Sequence, residues 1–148
     1  MDAYALQLVT ALTGSLGFAM LFHVRRSQML PAALGGLVAW SACLLGLLIT
    51  PNEAARYFLA TLVLTLYTEV MARVRKAPAT VFLVPGTIPM VPGGSLYYTM
   101  RHAVLGEWED FFVQGLHTIL LAGAIAGGVV CMMGLLHLGN RLLALKRR

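Results

Sequence analysis

Lys76-Ala77-Pro78-Ala79-Thr80-Val81-Phe82-Leu83-Val84-Pro85-Gly86-Thr87-Ile88-Pro89-Met90-Val91-Pro92-Gly93-Gly94-Ser95-Leu96-Tyr97-Tyr98-Thr99-Met100 decides how this chain is read. The stretch is as apolar as a membrane span, yet Pro78, Pro85, Pro89 and Pro92 punctuate it, with Gly86, Gly93 and Gly94 between and after them. Each proline lacks an amide donor and clashes with the preceding turn, so one uninterrupted helix is not expected. An apolar segment of about residues 77–105 that cannot be one helix implies two half-helices and irregular backbone between them. In hydrocarbon, freed backbone groups cost several kcal/mol each unless protein or water covers them.

The flanks supply the membrane. A helix crossing the hydrocarbon core needs ~20 mostly apolar residues, and four stretches qualify: about 3–23, 30–50, 55–74 and 111–138. The composition agrees, with 59% hydrophobic and 11% charged residues where soluble domains carry roughly 25% charged. So few charges could not cover the surface of a soluble domain. The net charge of +5 need not mean nucleic acid, because the cations sit beside apolar segments and orientation in a membrane explains them.

Charge placement tests the span count. Arg25 and Arg26 follow the first stretch, Arg73, Arg75 and Lys76 the third, and Arg141, Lys146, Arg147 and Arg148 the last. These basic regions share one side only if 77–105 crosses once. The other side then holds Asp2, the Pro51-Asn52-Glu53 loop and the acidic Glu107-Trp108-Glu109-Asp110 loop, with Arg56 as its clear cation. By the positive-inside rule the amino terminus is outside and the carboxyl terminus cytoplasmic. The expected fold is therefore an all-α integral membrane bundle of five segments, the fourth broken by Pro/Gly, forming one domain over 1–148. Asp2 before the first span and arginines after it are the reverse of a signal peptide, so that segment is expected to be retained.

The broken segment is the candidate substrate path, with a kinked or re-entrant structural helix as the competing reading. Half-helix amino ends place partial positive charge inside a membrane, where anionic groups bind. Pro85, Gly86, Thr87, Pro89, Pro92, Gly93, Gly94 and Ser95 would form it, with amides of Gly94, Ser95 and Leu96 facing the break. The hydroxyls of Thr80, Thr87, Ser95 and Thr99 and the phenols of Tyr97 and Tyr98 would complete a polar lining. Glu69 is the one acid inside a predicted span, and intramembrane carboxylates often mark ion routes. Arg73 at i+4 equally makes it half of an interfacial ion pair. Arg101 either attracts an anionic substrate or faces headgroups. His23, His102, His117 and His137 lie near predicted helix ends without metal-ligand spacing, and no metal or cofactor is expected. No GxxxxGK[ST], HExxH, GxSxG or CxxC occurs, so no ATP-driven or catalytic chemistry is expected.

Small residues mark packing surfaces. Gly123 and Gly127 form a GxxxG pair expected to pack the last helix, against a neighbouring helix, a partner or a second copy. Cys43 and Cys131 are expected to differ in depth by ~9 Å at ~1.5 Å per residue. A disulfide needs Cα atoms ~4.4–6.8 Å apart, so both are expected to be packing residues.

Three stretches together resemble the threonine/serine exporter (ThrE) family, specifically its small YjjB-like subunit: Gly17-Phe18-Ala19-Met20-Leu21-Phe22, the run from Pro85 to Gly94, and Leu96-Tyr97-Tyr98-Thr99-Met100. The resemblance spans essentially the whole chain and implies an inner-membrane exporter of small polar metabolites, threonine and serine or dicarboxylates such as succinate. It also implies a larger YjjP-like subunit as partner, without which this chain would be inactive. Membrane lipid and the small-molecule substrate are its other expected contacts, a homo-oligomer is compatible, and nucleic acid is not expected. A non-transporting scaffold or assembly subunit is the competing reading, and a membrane-embedded enzyme is disfavoured by the few polar groups at any one depth.

Overall fold

The computed structural model describes residues 2–146, with side chains described for 3–139 and 141. Arg147 and Arg148, and the side chains of Asp2 and Lys146, on which part of the charge argument rests, lie outside the described residues. The described chain is six α-helices without strands: α1 Asp2–Leu21, α2 Arg26–Gly46, α3 Glu53–Arg75, α4 Thr80–Thr87, α5 Gly93–Leu105 and α6 Trp108–Lys146, with a 3-10 turn Ile88–Met90 after α4. Four of them, over Ala3–Leu21, Arg26–Gly46, Glu53–Arg75 and Trp108–Gly139, are long and apolar enough to cross a membrane.

Helix ends depart from the hydropathy-based limits for identifiable reasons. α2 starts at Arg26, before the apolar stretch, and runs through a buried Pro31. The proline sits early enough that its missing amide affects only the first turns. α3 starts at Glu53 because the Asn52 side chain accepts a hydrogen bond from the Ala55 amide at 3.2 Å, an N-cap. Its last turn carries Arg73 and Arg75, where cations complement the helix dipole. α6 does not stop near Leu138; it continues to Lys146 for 39 residues. At ~1.5 Å per residue it is about twice the thickness of a ~30 Å hydrocarbon core. Hydropathy marked where a span ends, and good helix formers carried the helix further.

α2 is the hub, packed against α1, α3 and α4, while α3 packs on α6 and α5 rests on α6. Ala32, Ala33, Gly35, Gly36, Ala39, Cys43 and Gly46 bury one face of α2. Their small size lets backbones approach, which is how helices associate where lipid removes the hydrophobic drive. A Cβ at Gly36 would fall on Ser15 Oγ and lie 3.2 Å from the Ala11 carbonyl oxygen. On α3, Thr61, Thr65 and Thr68 are fully buried, and each hydroxyl donates back to a carbonyl of its own helix. Those polar groups are therefore satisfied locally and need no partner helix. The Tyr67 hydroxyl reaches across to the Pro31 carbonyl at 2.7 Å. Tyr67→Phe should lower stability in detergent by about 1 kcal/mol, read as a shift in the denaturation midpoint; an unchanged midpoint would mean the bond contributes nothing.

Within the chain, the tightest contact of α6 is made by a glycine outside the GxxxG pair. Gly128, not Gly123, is the tight contact of α6: a Cβ there would lie 2.7 Å from the Phe58 carbonyl oxygen and 3.0 Å from Thr61 Cβ. Gly127 stands at the edge, 3.7 Å from the Phe58 ring, and Gly123 meets nothing within 4 Å. Leu121 is buried, and seven residues on, Gly128 returns to almost the same helix face. The inward face of α6 runs through Leu121, Ala124, Ile125 and Gly128, the ordinary three- and four-residue spacing of one helix face. Cys43 is buried and Cys131 exposed, both free. Leu48 is 85% and Val104 86% exposed, and large apolar side chains cover much of the outside. Surfaces of that kind are built for lipid or a partner.

Candidate functional site

The four prolines are spread over a continuous change of backbone. Pro78 precedes α4, Pro85 lies inside it, Pro89 opens the 3-10 turn, and Pro92 stands at the N-cap of α5. Pro85 does not end its helix. Two more residues follow before the helix tightens into the turn, and Pro92 occupies a helix start, where its lost amide matters least.

Packing holds the first half of this segment inside the bundle. Phe82, Pro85, Gly86 and Met90 are all buried. Met90, in the turn, joins a cluster with Ala39 and Cys43 of α2, Tyr57, Ala60 and Leu64 of α3, and Leu121 of α6. Phe82 sits with Ala19 and Ala32. The closest approach is glycine on glycine: a Cβ at Gly86 would lie 2.8 Å from Leu64 Cδ1 and 3.3 Å from the Gly35 carbonyl carbon. A Cβ at Gly35 would in turn lie 3.4 Å from the Phe82 oxygen. Residues without side chains at both positions let α4 lie directly on α2.

The second half faces outward. Gly93 and Gly94 are exposed with nothing within 4 Å of a Cβ. The Gly93 amide donates to the Val91 carbonyl at 2.7 Å and the Leu96 amide to the Pro92 carbonyl at 2.9 Å. Among the described residues, the Gly94 and Ser95 amides have no backbone acceptor. Tyr97 and Tyr98 stack edge to face at 5.4 Å and are 65% and 52% exposed. Arg101 is exposed and shares a shallow cleft on α5 with Tyr97, Met100 and Val104. Thr99 anchors this helix, its hydroxyl donating to the Ser95 carbonyl at 2.8 Å and lying 3.2 Å from Thr118 Oγ1 of α6.

The expected polar lining therefore does not assemble within this chain. Thr87 turns its hydroxyl onto the Val84 carbonyl at 2.9 Å, Thr80 is exposed, and Tyr97 and Tyr98 are exposed. Helical hydroxyls find acceptors on their own preceding turn, and that local bond outcompetes a shared pocket. Glu69 lies 3.6 Å from Arg73, its side chain 28% exposed.

Two polar clusters had no signature in the spacing. Gly106, at φ 74°, adopts a left-handed conformation that glycine takes without a Cβ penalty. It turns the chain so that Glu107 Oε2 reaches His102 Nδ1 at 2.6 Å. With Asp110, their ligand atoms lie within 4.8 Å of one another, which corrects the expectation that no histidine joins such a group. His117 Nε2 of α6 lies 3.4 Å from Glu53 Oε2 at the start of α3.

One concavity touches the turn itself. Gln7, Thr10 and Gly14 of α1, Trp40 of α2, and Ile88 and Pro89 line a cleft of about 210 Å³. The indole Nε1–H of Trp40 donates to Gln7 Oε1 at 3.3 Å, and the Thr10 hydroxyl donates to the Gln7 carbonyl at 2.9 Å. Gln7, Thr10 and Trp40 are not among the residues expected from the sequence. A signal was present, because residues 7, 10 and 14 share one helix face; the Trp40 partner, 33 residues away, was not legible.

Comparison with known proteins follows this geometry. The family model described as Threonine/Serine exporter, ThrE, matches residues 7–134. No curated protein and no solved structure matches the chain. With four long apolar helices and membership of an exporter family, it is a multi-pass membrane protein of transporter type. The chain belongs to the threonine/serine exporter family.

Proposed function

We propose that this member of the exporter family is the small, YjjB-like subunit of a secondary exporter for small polar metabolites. Its cargo is threonine and serine or dicarboxylates such as succinate, and it works in the inner membrane with a larger YjjP-like subunit. The observation that carries the reading is the α4–turn–α5 segment. Irregular backbone at Ile88–Met90 is covered by the bundle, while among the described residues the amides of exposed Gly94 and half-buried Ser95 have no backbone acceptor. Such backbone inside a membrane requires protein or water around it, and transporters place substrates at such half-helix ends.

In this reading the segment is the fourth of five crossings, with the amino terminus outside. α4, the turn and α5 together hold 24 residues, enough to span ~30 Å even with α-helical rise. Basic residues precede them and the acidic loop follows. Pro85, Gly86, Thr87, Pro89 and Pro92 fix the path's wall. Gly93, Gly94, Ser95, Tyr97, Tyr98 and Arg101 form an open half that the larger subunit completes, which accounts for their exposure. Glu69 stands at the cytoplasmic mouth. Gly123, open on the outer face of α6, and Gly127, at the edge of the α3 contact, pack against that subunit or a second copy.

Efflux from cells carrying this chain alone, the larger subunit alone, and both should appear only with both. Export by the pair no faster than by neither removes the reading. Gly94→Leu and Arg101→Gln should cut efflux at least 10-fold without changing complex yield. A scaffold role predicts the opposite: intact efflux with those changes, and loss of the complex with Gly123→Leu.

A further inference from the structure

The geometry points to the cleft between α1, α2 and the 3-10 turn as a substrate subsite that holds an uncharged, hydrogen-bonding end of the transported solute, with Gln7 as the side chain that reads it. The inference rests on the export reading and adds to it a site outside the α4–α5 residues.

Depth comes first. Gln7 lies about 8 Å along α1 from its outer end, and Trp40 about 9 Å along α2 from Gly46, at ~1.5 Å per residue. Both therefore fall inside the outer part of the hydrocarbon core in the proposed orientation. Gln7 and Thr10 are exposed, and a bare carboxamide at that depth costs several kcal/mol unless water or a ligand covers it.

The polar atoms are already oriented. An indole nitrogen only donates, so Gln7 turns Oε1 toward Trp40 Nε1. Its Nε2 keeps two N–H donors for the cleft. Thr10 spends its proton on the Gln7 carbonyl, which leaves its hydroxyl oxygen as an acceptor. A donor pair beside an acceptor suits a hydroxyl, which both gives and takes a hydrogen bond.

Charge and size narrow the class. None of the lining residues is ionisable, so a carboxylate or ammonium would lose hydration there without a counter-charge. The volume of about 210 Å³ is below the ~300–1,000 Å³ of whole-ligand pockets, so the cleft takes one end of a solute. Ile88 and Pro89 form its inner wall, which joins it to the irregular backbone. The charged end then lies toward the turn and the half-helix, and the neutral end between α1 and α2. Ser15, one turn further along α1 from Ala11 of the cleft, is fully buried with its hydroxyl unpartnered, an unsatisfied polar group on the same seam.

The test uses solute pairs that differ by one hydroxyl: serine against alanine, and malate against succinate. In cells carrying both subunits, Gln7→Leu should lower efflux of the hydroxylated member at least 10-fold, through the Michaelis constant, and change its deoxy partner less than 3-fold. Trp40→Phe, which keeps the ring and removes the N–H, should act in the same direction by about 3-fold. Equal losses for both members of a pair, or no loss, overturn the subsite. A binding readout separates this from the export reading. With Trp108→Phe, Trp40 is the sole tryptophan, and its emission should respond saturably to the hydroxylated solute and not when Gln7→Leu is added. If that response is present while the unaltered complex exports none of the four solutes, the export reading fails and the subsite stands. No response and no export removes both.

Discussion

Gly128→Val should prevent the chain from accumulating as a folded, monodisperse protein. Even the first added carbon would lie 2.7 Å from the Phe58 carbonyl oxygen and 3.0 Å from Thr61 Cβ, with Thr61 Oγ1 closer still. Neither neighbour can yield. The Phe58 oxygen is backbone, and Thr61 is fully buried with its hydroxyl held by the Tyr57 and Phe58 carbonyls. α6 must then move off α3, the helix it packs on most extensively along with α5. Overpacking of a tight interior costs ~1–3 kcal/mol and sometimes more; with backbone in the way, about 3 kcal/mol is the expectation. In lipid the loss is not offset elsewhere, because close packing is itself the main drive for association. Size-exclusion yield and thermal midpoint in detergent measure it. Gly123→Val, on the same helix where a Cβ meets nothing within 4 Å, should leave both unchanged. Equal behaviour of the two variants would place the α3–α6 contact elsewhere.

Gly86→Ala should reduce efflux more than 10-fold while leaving the chain in the membrane. Its Cβ would stand 2.8 Å from Leu64 Cδ1 and 3.3 Å from the Gly35 carbonyl carbon. The Leu64 methyl is the end of a side chain, but Leu64 is wholly buried and packed in a cluster with Ala39, Ala60 and Met90, which its displacement would disturb. α4 must lift from α2 and carry the 3-10 turn with it, at ~1–3 kcal/mol. Leu64→Ala alone leaves a cavity and costs ~2–5 kcal/mol. Combined, the two changes should be less damaging than their sum by at least ~1 kcal/mol, since the alanine at 64 vacates the space the new methyl needs. Denaturation midpoints of the two single variants and the double variant give this coupling. Strict additivity would mean that Gly86 does not meet Leu64.

The contrast between Gly123 and Gly128 shows where the sequence was legible. The spacing of Gly123 and Gly127 is visible to any reader, whereas Gly128 becomes the contact only once α3 has chosen which face of α6 it meets. The hydroxyls of the proline-rich segment tell the same story. Thr80, Thr87, Ser95 and Thr99 are close in sequence, but two of the threonines bond to the preceding turn of their own helix and no shared lining forms. His102 and Glu107 meet through the left-handed turn at Gly106, and spacing alone gave no sign of it.

By itself, the sequence determined the number and placement of the long apolar helices and the resemblance to a family of exporters. The helices follow from a local rule: a span needs length and hydropathy. The tertiary structure decided which glycines became contacts, which polar groups found partners, and that Gln7, Trp40 and Pro89 line one cleft. Those outcomes depend on how helices rotate and approach in three dimensions, and the van der Waals fit that fixes rotation involves residues dozens of positions apart.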